Sequence, residues 1–204
     1  MKIKNKFSIS IVGAGRLGGA LAIALARKNY KIVSVVARRF ETAARAAQQI
    51  STPPEILTAE NIAEIPSSDI VFITTPDPEI EPTAARLAAN RNFNSETIFL
   101  HTSGSLSSAV LSKLKNVGAN TGSLHPLVSV SDSGAGAERF AGAFFCVEGD
   151  ATAVAAAKFV VQRAPQFQIC ARRPTRFCNF FGQAQSPMRR RVCPRRRLKL
   201  KICF

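Results

Sequence analysis

The sequence predicts an α/β fold: a doubly wound, mostly parallel sheet with helices on both faces. Three observations predict it. Strand-like and helix-like stretches alternate about every fifteen residues as far as Gln162. A glycine-rich turn joins the first strand to the first helix. The short polar motifs fall at carboxyl ends of strands, where sheets of this class bind their ligands.

The elements follow in order. "KFSISIVGAG" reads as a strand, because Phe7, Ile9 and Ile11 alternate with small residues before Val12 leads into glycine. "RLGGALAIALARKN" changes to helical period: Leu17, Leu21, Ala24 and Leu25 share one face, and Asn29 is a stop. "YKIVSVVARR" is a valine-rich strand, and "FETAARAAQQI" a helix of strong helix formers. "SDIVFITTPDPEI" is a third strong strand ending in a Pro-Asp-Pro turn, and "TAARLAANR" is helical. "ETIFLHTSG" is a strand, and "SLSSAVLSKLKNVG" a helix closed by glycine. "ANTGSLHPL" and "GAFFCVEGD" are two short strands, and "ATAVAAAKFVVQ" is the last helix.

Beyond Gln162 no apolar period of either kind continues, and charge divides the chain at the same place. Residues 1–162 hold 16 Lys+Arg and 13 Asp+Glu, whereas residues 163–204 hold 12 Lys+Arg and no acid. Most of the net charge of +15 therefore lies in the last fifth of the 204 residues. The reading is a domain over residues 5–162 and an irregular basic tail over 163–204. Four of the five cysteines fall in the tail without a C-x-x-C pair or a nearby histidine, which argues against a zinc module and predicts no metal site.

"MKIKNK" followed by apolar residues superficially resembles a secretion signal, but Arg16, Arg27 and Lys28 interrupt the apolar stretch. No apolar run is long enough to span a membrane. The expectation is a cytoplasmic protein without a membrane partner. The near-balanced body offers no extended basic face, and the chain has no Trp and one Tyr for stacking, so nucleic acid is not the expected partner either.

Four motifs carry chemistry. Gly13-Ala14-Gly15-Arg16-Leu17-Gly18 is a G-x-G-x-x-G between strand and helix. Gly13 permits the tight turn, Gly15 admits a pyrophosphate to the backbone, and Gly18 lets helix and strand pack closely. An ordinary glycine turn is the plain alternative. Arg38-Arg39 ends the second strand, where an NAD site usually offers an acid; arginine there suits the 2′-phosphate of NADP. Thr74-Thr75-Pro76-Asp77 ends the third strong strand, where small hydroxyl residues and a proline fit beside a cofactor's ribose and nicotinamide, or simply make a turn. His101 and Ser103 in "HTSG", with His125 in "SLHP", place the only two histidines of the chain on the cofactor's side of the sheet. A neutral histidine exchanges a proton as hydride moves, and Ser103 offers a hydroxyl to a substrate oxygen. Either histidine serves equally well in bonding backbone.

"IVGAGRLGGALA", "HTSGSLSS" and "GSLHPLVSV…FAGAFFCVEGD" resemble the Rossmann-like proteins that carry a second, all-helical domain of unknown function. That group is related to the F420-dependent NADP oxidoreductases and the pyrroline-5-carboxylate reductases. The "HP" segment is also similar to that of prephenate dehydrogenases, where a histidine so placed contacts the substrate hydroxyl. The resemblance covers roughly residues 5–169. It implies an NADP-binding domain of the 6-phosphogluconate dehydrogenase superfamily acting on a small-molecule substrate, with a helical domain closing the site and making a homodimer in an intact relative. His125 is expected to transfer the proton, with Ser103 and His101 positioning substrate.

No helical period follows where that second domain is due. The expectation is that residues 163–204 are an out-of-frame translation replacing it, leaving a truncated and inactive chain. CGN codons shifted by one base include alanine codons, so "RRR" can hide an alanine run. A genuine basic tail for nucleic acid or an acidic membrane is the alternative. A non-catalytic dinucleotide-binding protein is the rival to an oxidoreductase.

Overall fold

Apolar runs at the centre of the chain become the strands of one eight-stranded sheet. The computed structural model describes residues 7–162 and 168–171. The strands are β1 (Ser8–Val12), β2 (Lys31–Ala37), β3 (Glu55–Thr58), β4 (Ile70–Ile73), β5 (Ile98–His101), β6 (Asn120–Pro126), β7 (Phe144–Gly149) and β8 (Gln168–Ala171). Their order is β3-β2-β1-β4-β5-β6-β7-β8. Pairing is parallel except between β6 and β7. The doubly wound, mostly parallel α/β fold is thus as the sequence predicts.

The helices are α1 (Arg16–Arg27), α2 (Phe40–Ala47), α3 (Asp77–Ala88), α4 (Ser112–Asn116), α5 (Ser133–Arg139) and α6 (Ala151–Gln162). They cover both faces of the sheet. Ile11, Val35, Phe72 and Leu100 face one core with Leu21 of α1 and Ala157 of α6. Val36, Val71, Ile73 and Phe99 face the other with Ile80 and Leu87 of α3. Burying each such side chain contributes about 1.5–3 kcal/mol, which is what makes these strands near-continuous apolar runs. The small polar residues among them find each other: buried Ser34 and Ser10 bond across β2 and β1 at 2.9 Å.

The structure adds or moves several elements. β3 is a four-residue edge strand on β2, too short for its own period. α3 begins at Asp77, six residues earlier than its helical period shows, because Pro78 sits in the first turn where a missing N–H costs nothing. Helix was expected across "SLSSAVLSKLKNVG", but Ser108–Leu111 form a 3-10 turn and only Ser112–Asn116 are α-helical. α5 is made of "SGAGAER", a stretch for which the sequence predicts no element. Its small residues are demanded by α1: a β-carbon on Gly136 would crowd Val130 and stand 3.1 Å from that of Ala20. Finally, β8 extends the sheet past Gln162, where irregular chain was expected from residue 163 onward. Pairing with β7 is a non-local event that four residues do not announce. The rest of the expected out-of-frame tail lies outside the described residues. Among the described residues no helix is long and apolar enough to cross a membrane.

Candidate functional site

The strand order reverses between β1 and β4, and the chain leaves both strands at their carboxyl ends there, opening the crevice in which such sheets hold ligands. The glycine turn occupies that crevice. Gly13 has φ +104°, and a β-carbon on it would stand 2.7 Å from the backbone nitrogen of Thr75. A β-carbon on Gly18 would collide with the Thr74 hydroxyl and the Gly13 carbonyl. The amides of Gly13 and Ala14 both donate to the Val36 carbonyl at 2.8 Å, tying the turn to the end of β2. Thr74 Oγ1 ties it to β4 through the Gly13 carbonyl at 2.8 Å. Packing of the chain against itself therefore explains Gly13 and Gly18.

It does not explain Gly15. That residue is exposed, and its φ of −71° suits any amino acid. The nearest atom to a β-carbon built on it is 4.0 Å away. Gly15 caps α1 with no side chain bonding the helix end, so the first-turn amides of Arg16, Leu17 and Gly18 point into the same open space. The cradle fits a diphosphate, which a side chain at position 15 would displace. Arg16 is exposed at its rim, and Leu17 is half-buried against the core.

Around this cradle stand the other cofactor candidates. Arg38 and Arg39 are both exposed at the end of β2, and Arg39 caps α2. Thr75 keeps a buried hydroxyl with no hydrogen-bond partner. Pro76 is exposed and precedes α3. The orphaned Thr75 hydroxyl is a second feature that a bound dinucleotide would satisfy.

The two histidines lie on neighbouring strands and carry opposite tautomers. His125 Nδ1 is 2.8 Å from the Thr102 carbonyl, which only accepts, so Nδ1 holds the proton and Nε2 a free lone pair. Its ring packs directly on Gly104. His101 is fully buried, and its Nδ1 accepts the amide of Ser103 at 3.2 Å. Its proton therefore sits on Nε2, which has no hydrogen-bond partner. Burial pushes the His101 pKa below its ordinary value, although the Glu148 carboxylate, the Ser107 backbone and Asp77 pull the other way.

Ser103 is spent in its own loop. Its hydroxyl accepts the amides of Ser105 and Leu106, each at 3.1 Å, and lies 3.2 Å from Ser105 Oγ. Ser105 in turn donates to the Asp77 carboxylate through a very short bond. With both acceptor positions of Ser103 filled and the Ser105 proton on Asp77, Ser103 must donate to Ser105. The chain Ser103→Ser105→Asp77 runs outward, so the groups it presents to a substrate are Ser105 and Asp77, both exposed. Asp77 closes the motif that ends the third strong strand, whereas Ser105 is one serine among several and carries no signal of its own in the sequence.

The family model for the Rossmann-like domain matches residues 2–126. The chain belongs to the Rossmann-like domain family. No curated protein matches it. Among solved structures, this Rossmann-like chain is similar to a protein of Bacteroides fragilis assigned as an NADP oxidoreductase (22% identity, TM-score 0.67, 82% of this chain and 61% of that one). It is also similar to the prephenate dehydrogenase of Aquifex aeolicus (17% identity, TM-score 0.65, 81% and 61%). A third is the pyrroline-5-carboxylate reductase of Coxiella burnetii (10% identity, TM-score 0.63, 81% and 59%). At these identities the likeness is one of fold. The chain spans about three fifths of the length of these structures.

The Rossmann-like domain also has a surface cavity of about 200 Å³, lined by Leu87, Asn90, Phe93, Leu114 and Val117. It lies at the amino ends of β5 and β6, the far end of the sheet from the glycine turn and both histidines, and has no part in the candidate site.

Proposed function

We propose that this Rossmann-like domain binds NADP(H) and belongs to an oxidoreductase that moves hydride to or from a small carbonyl, imine or hydroxyl compound. The open space above Gly15 carries the reading, because nothing in the chain itself requires glycine there. Gly15 and the first amides of α1 would hold the diphosphate, and Arg38 and Arg39 the 2′-phosphate. Thr74, Thr75 and Pro76 would border the nicotinamide ribose. The nicotinamide ring supplies or accepts the hydride at C4 when the dinucleotide is bound.

The chain's own contribution to the chemistry is proton handling and orientation. His125 Nε2, with its lone pair fixed by the Nδ1–H bond to Thr102, accepts a proton from a hydroxyl substrate or returns one to a carbonyl or imine. His101, fully buried, stays neutral. Asp77 and Ser105 orient a polar group of the substrate. Substrate identity, a helical partner domain and dimer formation belong to the whole protein and are part of the proposal.

Solved neighbours name both NADP and NAD+. Titration decides between them. NADPH is expected to bind more tightly than NADH, and replacing Arg38 and Arg39 with Gln should erase the difference. Equal affinities in the unmodified chain would overturn the NADP reading; no binding of either would overturn the dinucleotide reading. Against a panel of carbonyl and imine compounds, the counterpart of His125→Asn in an intact relative should lower NADPH oxidation about 10²–10⁴-fold with NADPH affinity unchanged. Tight binding with no turnover on any panel member would favour the non-catalytic alternative.

A further inference from the structure

We infer that Glu148 is a positioning residue for His125, holding in place the loop on which that imidazole rests; the inference rests on His125 being the proton-transfer group proposed above. Glu148 lies on β7, paired with Ser123, and Ser123 in turn pairs with His101. The three residues form one row across β5, β6 and β7 and share a face of the sheet. His125, two residues beyond Ser123 on β6, is on that face too. The half-buried Glu148 carboxylate reaches beyond the sheet. One of its oxygens accepts the Ser108 amide at 2.5 Å and the other the Ser108 hydroxyl at 2.9 Å. Ser108 opens the 3-10 turn Ser108–Leu111, and Ser107, which caps that turn, makes no side-chain bond to it. A carboxylate 40 positions away in the chain thus satisfies the first free amide of the turn.

That anchor completes the hold on the loop. At its entry the Thr102 amide bonds the Ile73 carbonyl at 3.2 Å, and inside it Ser103 Oγ gathers the amides of Ser105 and Leu106. Glu148 ties down the exit. Gly104, within the loop, is where the His125 ring rests, and β6, which carries that ring, is paired with β7, which carries Glu148. One carboxylate therefore clamps the floor of the imidazole to the strand pair that holds the imidazole itself. Its charge acts on the other histidine. Burial lowers the His101 pKa, and Glu148 is the foremost group opposing that, ahead of the Ser107 backbone and Asp77, while His125 adds to the lowering. The hydrogen bonds of Glu148 and its charge thus have separate readouts in the two histidines of the chain.

The test is a set of 15N–1H imidazole spectra of the full chain, recorded across pH without cofactor. Glu148→Ala should turn the single Nδ1–H form of His125 into a mixture of both tautomers. Glu148→Gln keeps a carbonyl oxygen for the Ser108 amide, so its His125 signals should stay as in the parent. In both variants the His101 pKa should fall, because the charge is gone. Ser108→Pro removes both donors from the other side of the clamp and leaves the charge in place. Proline is tolerated at the first position of a helical turn, and the extended Ser107 (φ −86°, ψ 165°) suits the residue before it. This variant should scramble His125 as Glu148→Ala does, without lowering the His101 pKa. Parent-like His125 signals in either Glu148→Ala or Ser108→Pro, with the circular dichroism spectrum of the parent, would overturn the inference. So would a Gln variant as disturbed as the Ala one. Failure of the proton-transfer reading shows elsewhere, in turnover: a counterpart of His125→Asn with full activity would overturn that reading, and the purpose of the clamp with it.

Discussion

His125 and Gly104 touch with no room for a side chain between them. A β-carbon built on Gly104 would stand 2.6 Å from His125 Nε2 and 2.8 Å from Cε1. Glycine in "HTSG" is thus the floor on which the "SLHP" imidazole rests, while the Thr102 carbonyl two residues earlier holds its other nitrogen. One loop fixes both the position and the tautomer of the proposed proton-transfer group.

Gly104→Ala should therefore release that tautomer. The chain has two histidines, so its imidazole nitrogens give a simple 15N–1H spectrum. In the parent, His125 should show its proton on Nδ1 and His101 on Nε2. In Gly104→Ala the His125 signals should move toward a mixture of both tautomers and those of His101 stay put. Unchanged His125 signals would mean that the contact does not position the ring.

The three glycines of the turn should respond differently to the same methyl group. Gly18→Ala is expected to cost about 1–3 kcal/mol in urea unfolding, since Thr74 and the Gly13 carbonyl must move. Gly13→Ala adds backbone strain at φ +104° to its clash with Thr75 and should cost at least as much. Gly15→Ala meets nothing, so only the weaker N-cap preference of alanine, about 1 kcal/mol or less, should appear. Its NADPH affinity should nonetheless fall tenfold or more. Retained affinity in Gly15→Ala would remove the observation on which the proposed function stands.

His101 should make stability depend on pH in a definite direction. Burial lowers its folded pKa below the ordinary 6.5. As pH falls through 6.5, the unfolded chain takes up a proton that the folded chain refuses, so unfolding binds protons and stability declines. The contribution is complete above pH 6.5 and is lost progressively down to the folded pKa. Denaturant unfolding between pH 7.5 and 5 should therefore show a steeper loss in the parent than in His101→Gln. Parallel curves would mean that His101 takes up its proton as readily in the folded chain as in the unfolded one.

Much of this was legible in the residues alone. Apolar runs such as "DIVFI" and the helical spacing of Leu17, Leu21 and Leu25 are local signals, and burial on both faces of a sheet writes them strongly into the chain. The glycine turn was legible for the same reason: Gly13, Gly15 and Gly18 lie within six consecutive residues, and their strand-before, helix-after context is local too. The sequence by itself thus determined the class of fold, the glycine turn and the end of the sheet on which the candidate site lies.

Tertiary structure alone decided what each polar group is free to do. Ser103 looked available until its hydroxyl met Ser105, Leu106 and, through Ser105, an Asp77 that stands 28 positions from Ser105. The opposite tautomers of His101 and His125 depend on which backbone group each nitrogen meets, and Thr102 lies 23 positions from His125. α5 forms from small residues only because α1 lies close enough to exclude larger ones. Periodicity records which side of an element meets apolar surface. It does not record hydrogen-bond partners, which are set when distant segments meet.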